Sequence, residues 1–166
     1  MTRPSGSLGA RALETLKLLL GLALVLMVVL NIVNAAGRYG GLPVPGGMDE
    51  LLVIAMIWVV MIGCILATHD RTHLAINLLP QSLNNDRRRV LETLVTFLTA
   101  GVCAFVAWHS WTFIERIGAI GQKSMGLGVP MVVPHLAIFV GFAGTALVSL
   151  VLAVTDCRAF FQDRAK

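Results

Sequence analysis

Val132–Val154 reads VVPHLAIFVGFAGTALVSLVLAV, a run without a single Asp, Glu, Lys or Arg. Crossing the hydrocarbon of a bilayer takes about 20 mostly apolar residues, because a helix rises 1.5 Å per residue through a core of ~30 Å. This run is long enough. It must be helical, since the bilayer interior has no water to satisfy free backbone groups. Working outward, Leu94–Ile114 is likewise uncharged, and Leu51–Thr68 is shorter but also uncharged. Leu18–Ala36 is uncharged too, although Asn31 and Asn34 lower its hydrophobicity. The expected fold is an all-α membrane protein of four transmembrane helices, with residues 1–166 forming a single integral membrane domain.

Composition agrees. Of the 166 residues 57% are hydrophobic and only 13% charged, with a mean hydropathy of +0.82. A soluble domain has roughly 25% charged residues, so too few remain to clothe a water-facing surface and lipid is the solvent. A net charge of +4 would suit nucleic acid, but the basic residues lie between apolar runs instead of forming a stripe with interleaved aromatics. No nucleic-acid partner is expected; anionic membrane lipids are the natural counter-charge.

Orientation follows from Lys and Arg. Arg3, Arg11, Lys17, Arg71, Arg87, Arg88, Arg89, Arg158, Arg164 and Lys166 share one side of four spans. Arg38, Arg116 and Lys123 share the other. Ten against three places both termini in the cytoplasm. The start of the chain also looks like a signal peptide, with Val33-Asn34-Ala35 as a possible cleavage site. The apolar stretch is longer than a usual signal core, which favours an uncleaved first helix.

The connections carry their own signals. Gly37–Glu50 is dense in Gly and Pro, and Asp49 and Glu50 open the second helix, where carboxylates suit the positive end of the dipole. Capping of that helix is the plain explanation; pairing of Arg38 or Glu50 with a partner protein is the sharper one. On the inner side Thr72–Leu83 is too short to span and amphipathic, though Pro80 interrupts it. It reads as an interfacial segment lying along the membrane between helices 2 and 3. Asn84-Asn85-Asp86 follows as a turn, and Arg87-Arg88-Arg89 anchors the third helix at the headgroups. Trp108 and Trp111 fall near the outer end of that helix, where indoles prefer to sit.

Two sets of small residues predict close helix packing. Ala137, Gly141, Thr145, Ser149 and Ala153 recur every four residues along the fourth span, and Ala100, Ala104 and Ala107 form a shorter set on the third. They serve packing within the bundle or docking of another membrane subunit. Asn31 and Asn34, three apart, are expected to turn together away from lipid.

Chemistry is sparse. Cys64, Cys103 and Cys157 are widely spaced, without CxxC or metal-ligand spacing. No span carries a charged residue at depth, which a self-sufficient transporter normally keeps. Small multidrug exporters depend on an embedded glutamate, and Glu14 precedes the first span. No nucleophile stands with a base, so no enzyme, cofactor or metal site is expected. His109 and His135 both fall near the outer face, where a pair of histidines can bracket a haem. A membrane anchor subunit of a multi-subunit respiratory enzyme, with or without haem, is therefore the alternative function.

The run Asn31…Arg38-Tyr39, Asp49-Glu50-Leu51, Trp58…Gly63 and Arg71-Thr72-His73-Leu74-Ala75-Ile76 resembles the small membrane subunit, DctQ-type, of TRAP transporters. Ser124…Leu127-Gly128-Val129-Pro130 resembles the loop before that family's fourth helix. The resemblance extends over roughly residues 15–155. Asn77 stands where the family commonly has an aspartate, and Met131 where a tryptophan is frequent. The resemblance implies a scaffold subunit in the bacterial inner (cytoplasmic) membrane. Its partners would be a large multi-span permease subunit, which carries substrate and sodium, and a periplasmic substrate-binding protein delivering an organic acid. Arg38, Glu50, Trp58, Gly63, His73 and Gly141 are the candidate structural or partner-interface positions.

Overall fold

A computed structural model describes residues 8–41, 45–70 and 85–164. Four helices follow one another: α1 Leu8–Tyr39, α2 Met48–His69, α3 Asn85–Ile120 and α4 Val132–Arg164. All four are long and apolar enough to cross a membrane, as the four uncharged runs predict. The helices outrun those runs at most ends. At 1.5 Å per residue the 36 residues of α3 extend about 54 Å, well beyond a hydrocarbon core of ~30 Å. The interfacial segment expected at Thr72–Leu83, and with it His73, lies outside the described residues.

The helices pack in the order α1–α2–α4–α3, with the largest interface between α3 and α4 and the next between α2 and α4. Small side chains explain this. All five members of the every-fourth-residue set on α4 are buried, so the set serves packing within the molecule. A Cβ at Gly141 would stand 2.6 Å from Met61 Sδ, and one at Gly144 would stand 2.5 Å from Ile65 Cδ1. Both glycines thus let α2 approach the α4 backbone closely. In lipid, where there is no hydrophobic drive between helices, such contact is a main source of cohesion.

On α3 the buried residues are Thr96, Ala100, Cys103, Ala107, Ile114 and Ile117, and half-buried Ser110 completes an alternation of four and three. That alternation is the seam spacing of long helices that wind around each other. Ala104, expected to share this face with Ala100 and Ala107, is instead exposed. One residue rotates the helix by about 100°, and a step of four from Ala100 carries Ala104 past the edge of the seam. Thr96 is buried because its hydroxyl donates to the Glu92 carbonyl at 2.8 Å, so no polar group is left over.

Helix α1 differs. None of its most apolar window is buried, against 17%, 22% and 28% for α2, α3 and α4. Of the three larger interhelical interfaces among the described residues, α1 takes part in one, with α2.

Candidate functional site: the polar rim

The polar side chains gather where α1 ends, α2 begins and the α3–α4 connection turns. Gly47, at φ 84°, leads into α2, and no side chain caps that helix. Asp49 and Glu50 are in its first turn, where the helix dipole favours them. They reach sideways in different directions instead of folding back to cap.

Asp49 faces α1. Its Oδ1 accepts a hydrogen bond from the Asn34 amide, and its Oδ2 pairs with the Arg38 guanidinium. Asn34 and Arg38 are four apart, hence on one face of α1. Asn34 is 5% exposed, and its buried Oδ1 has no hydrogen-bond partner among the described residues. Asn31, expected to turn inward with Asn34, is exposed. Three residues leave the two amides about 60° apart, enough to put one in the α1–α2 seam and the other outside it.

Glu50 faces the connection between α3 and α4. Its Oε1 accepts the Gly126 N–H at 2.8 Å and its Oε2 the Leu127 N–H at 2.9 Å, and the Ser124 hydroxyl donates to it as well. Ser124 Oγ in turn accepts the Val129 N–H at 3.2 Å, while the Ser124 N–H donates to the Val129 carbonyl at 2.9 Å. Around this knot Lys123 and Pro130 pair across a single β-bridge. Gly126 fits closely here: a Cβ there would stand 3.0 Å from Gly47 Cα and 3.1 Å from Glu50 Cδ, tighter than ordinary contact. The motif from Ser124 to Pro130 is thus the loop that Glu50 holds down. Leu127 closes the contact from above, since a Cβ on Gly47 would meet its Cγ at 2.7 Å.

Arg38 and Glu50 therefore find partners within the chain. Gly141 is buried against Met61 of α2, between two and three turns into α4. Trp58 is half-buried on α2. Gly63 is different again: a Cβ there meets nothing within 4 Å, and it lies on the α2 face of the exposed Val53, Met56 and Val60. The histidines of the haem alternative each pack on a phenyl ring. His109 lies edge-on to Phe105 at 4.4 Å and His135 stacks on Phe113 at 4.8 Å. Among the described residues no three His, Cys, Asp or Glu side chains group to hold a metal ion. Trp111 donates from Nε1 to Glu115 at 2.9 Å, and Trp108 is exposed.

At the other end of α1 Lys17 pairs with Asp70 just past α2. The Lys17 ammonium, more than the neighbouring His69, holds the Asp70 carboxyl below its ordinary value, against an opposing effect of burial. Sequence spacing does not reveal this pair, because its members flank different spans.

Comparison with known proteins adds two findings. The family described as Tripartite ATP-independent periplasmic transporters, DctQ component, matches residues 11–159. An uncharacterized protein, y4mM, of Sinorhizobium fredii is 26% identical over 143 residues, which is 84% of this chain. The chain spans only about a quarter (26%) of that relative.

Proposed function

Since the chain belongs to the family of DctQ components of tripartite ATP-independent periplasmic transporters, we propose that it is the small, stationary membrane subunit against which a separate large permease subunit moves. It is a multi-pass membrane protein and a transporter component, not an enzyme. In this reading the large subunit binds sodium and an organic acid, a periplasmic binding protein delivers the acid, and the whole resides in a bacterial inner membrane with both termini of this chain in the cytoplasm.

The supporting observation is the pairing of that family match with spans that hold no Asp, Glu, Lys or Arg between Lys17 and Arg38, Glu50 and His69, Glu92 and Glu115, or Val132 and Thr155. Ion-coupled transport normally needs ionisable or broken-helix elements near the midplane. The relative of which this chain matches a quarter also suits the reading, since a fused small and large subunit would have such proportions. Gly63, where a Cβ would meet none of the described residues within 4 Å, is the position we assign to the partner. His73 and Trp58 belong to the same proposed structural or interface set.

Co-expression with a large permease subunit of the same transporter tests this. The two proteins are expected to co-purify, and uptake is expected only when both are reconstituted with the binding protein. Solute accumulation in vesicles holding this chain alone would overturn the proposal. Gly63→Leu is expected to weaken co-purification while leaving the isolated chain folded; unchanged assembly would remove Gly63 from the interface.

A further inference from the structure

Between α3 and α4, away from the polar rim, runs an open groove of about 360 Å³. Phe97, Gly101 and Ala104 line it from α3, and Ala143, Leu147 and Leu150 from α4. Ala104 is exposed because it forms part of this groove's wall. The groove lies in the half of the span nearer the start of α3 and the end of α4. Its small floor residues leave a channel, and the exposed side chains of Phe97 and Leu147 stand beside it.

Arg158 is on α4 three helical turns beyond Leu147, on the same face and roughly 16 Å further along the axis. Its side chain is exposed, and it takes part in no ion pair among the described residues. An acyl chain seated in the groove would bring its headgroup phosphate to that depth. The guanidinium matches a phosphate in charge and in its forked geometry.

We propose that the α3–α4 groove and Arg158 form a site for one anionic phospholipid, with an acyl chain in the groove and the phosphate at the guanidinium. The site goes beyond the scaffold role and does not depend on it. The occupant is a lipid and not a free anion, because the apolar channel and the cation are aligned along one helix face.

Native mass spectrometry of the full chain, purified in detergent and incubated with palmitoyl-oleoyl phosphatidylglycerol or phosphatidylcholine, tests it. Retention of the anionic lipid is expected to exceed that of the zwitterionic one by about fivefold. Arg158→Gln should erase that preference. Arg88→Gln should not, because that guanidinium already donates to Glu92 at 2.8 Å. Ala104→Leu or Ala143→Leu, checked by circular dichroism for intact helices, should lower retention of both lipids. Millimolar inorganic phosphate should displace neither. A preference that survives Arg158→Gln overturns the proposal, as does an equal loss in Arg88→Gln or displacement by phosphate. So does a groove-filling variant that keeps its lipid but loses a co-purifying permease, which would make the groove a dock for a helix.

Discussion

Helices α1 and α4 are both long apolar helices, yet they are held in opposite ways. Helix α4 lies between α2 and α3 and is gripped along its length, with Gly141 and Gly144 against the Met61 and Ile65 side chains of α2 and its small residues buried. Helix α1 lies at one flank. Polar pairs tie it to α2 at its two ends, Lys17 to Asp70 and Asn34 and Arg38 to Asp49, and its apolar middle is no more than half-buried, at Leu20, Ala23, Met27 and Leu30. Cohesion in lipid comes either from shape, which acts along a whole helix, or from polar pairs, which act at a point.

The largest expected effect tests the shape-held side. Gly141→Leu places a side chain where even a Cβ would stand 2.6 Å from Met61 Sδ. Overpacking of this kind costs about 1–3 kcal/mol and sometimes more. The thermal midpoint in detergent should fall, with loss of a monodisperse peak; a midpoint equal to the parent's would refute the close α2–α4 approach.

Asp49→Ala probes the point-held side. It strips Arg38 of its partner and leaves the buried Asn34 amide wholly unpaired, at a cost of about 1–3 kcal/mol. Cysteine cross-linking between α1 and α2 should weaken while α3–α4 cross-linking is unchanged. Equal loss at both would show that α1 is not separately held.

Gly63→Ala sharpens the contrast between two glycines. Where the chain packs nothing against a glycine, alanine removes backbone freedom in the helix, so the isolated chain should be unchanged or gain up to about 1 kcal/mol. A drop in the thermal midpoint would mean that the open space beside Gly63 is filled within the chain.

The smallest effect is that of pH on the Lys17–Asp70 tie. Because Lys17 holds the Asp70 carboxyl below its ordinary value, the tie stabilises above the unfolded pKa of about 3.9 and is lost as pH falls through the lower folded value. Both side chains are about one-third exposed (37% and 34%), so screening leaves at most a few tenths of a kcal/mol. The difference in midpoint between the parent and Lys17→Gln should be present at pH 7 and should shrink in acid. A difference independent of pH would remove the carboxylate from the account.

Much of this was legible in the order of residues. Four uncharged runs give four helices, because length and hydropathy suffice where backbone groups must be satisfied internally. The buried set on α4 was legible for a similar reason: five small residues in strict register are hard to place otherwise. Finer assignments failed where angle decides. Asn31 and Asn34, like Ala100 and Ala104, are neighbours on a helical net, yet each pair divides between a seam and the surface. Contacts made across the chain were illegible. Nothing local to Glu50 announces that its ligands are amides 76 and 77 residues later, and the glycine-rich stretch that receives it looks like any flexible turn.

That separation has a bearing on biogenesis. When α2 first inserts, the segment from Ser124 to Leu127 has not been synthesised, and the Glu50 carboxylate can only be hydrated at the membrane surface. Its protein ligands arrive after α3 has crossed, and they stay in place once α4 has brought the chain back. Formation of these hydrogen bonds therefore marks the end of maturation. A chain truncated after residue 120 and released would have three helices to insert and an unlatched rim.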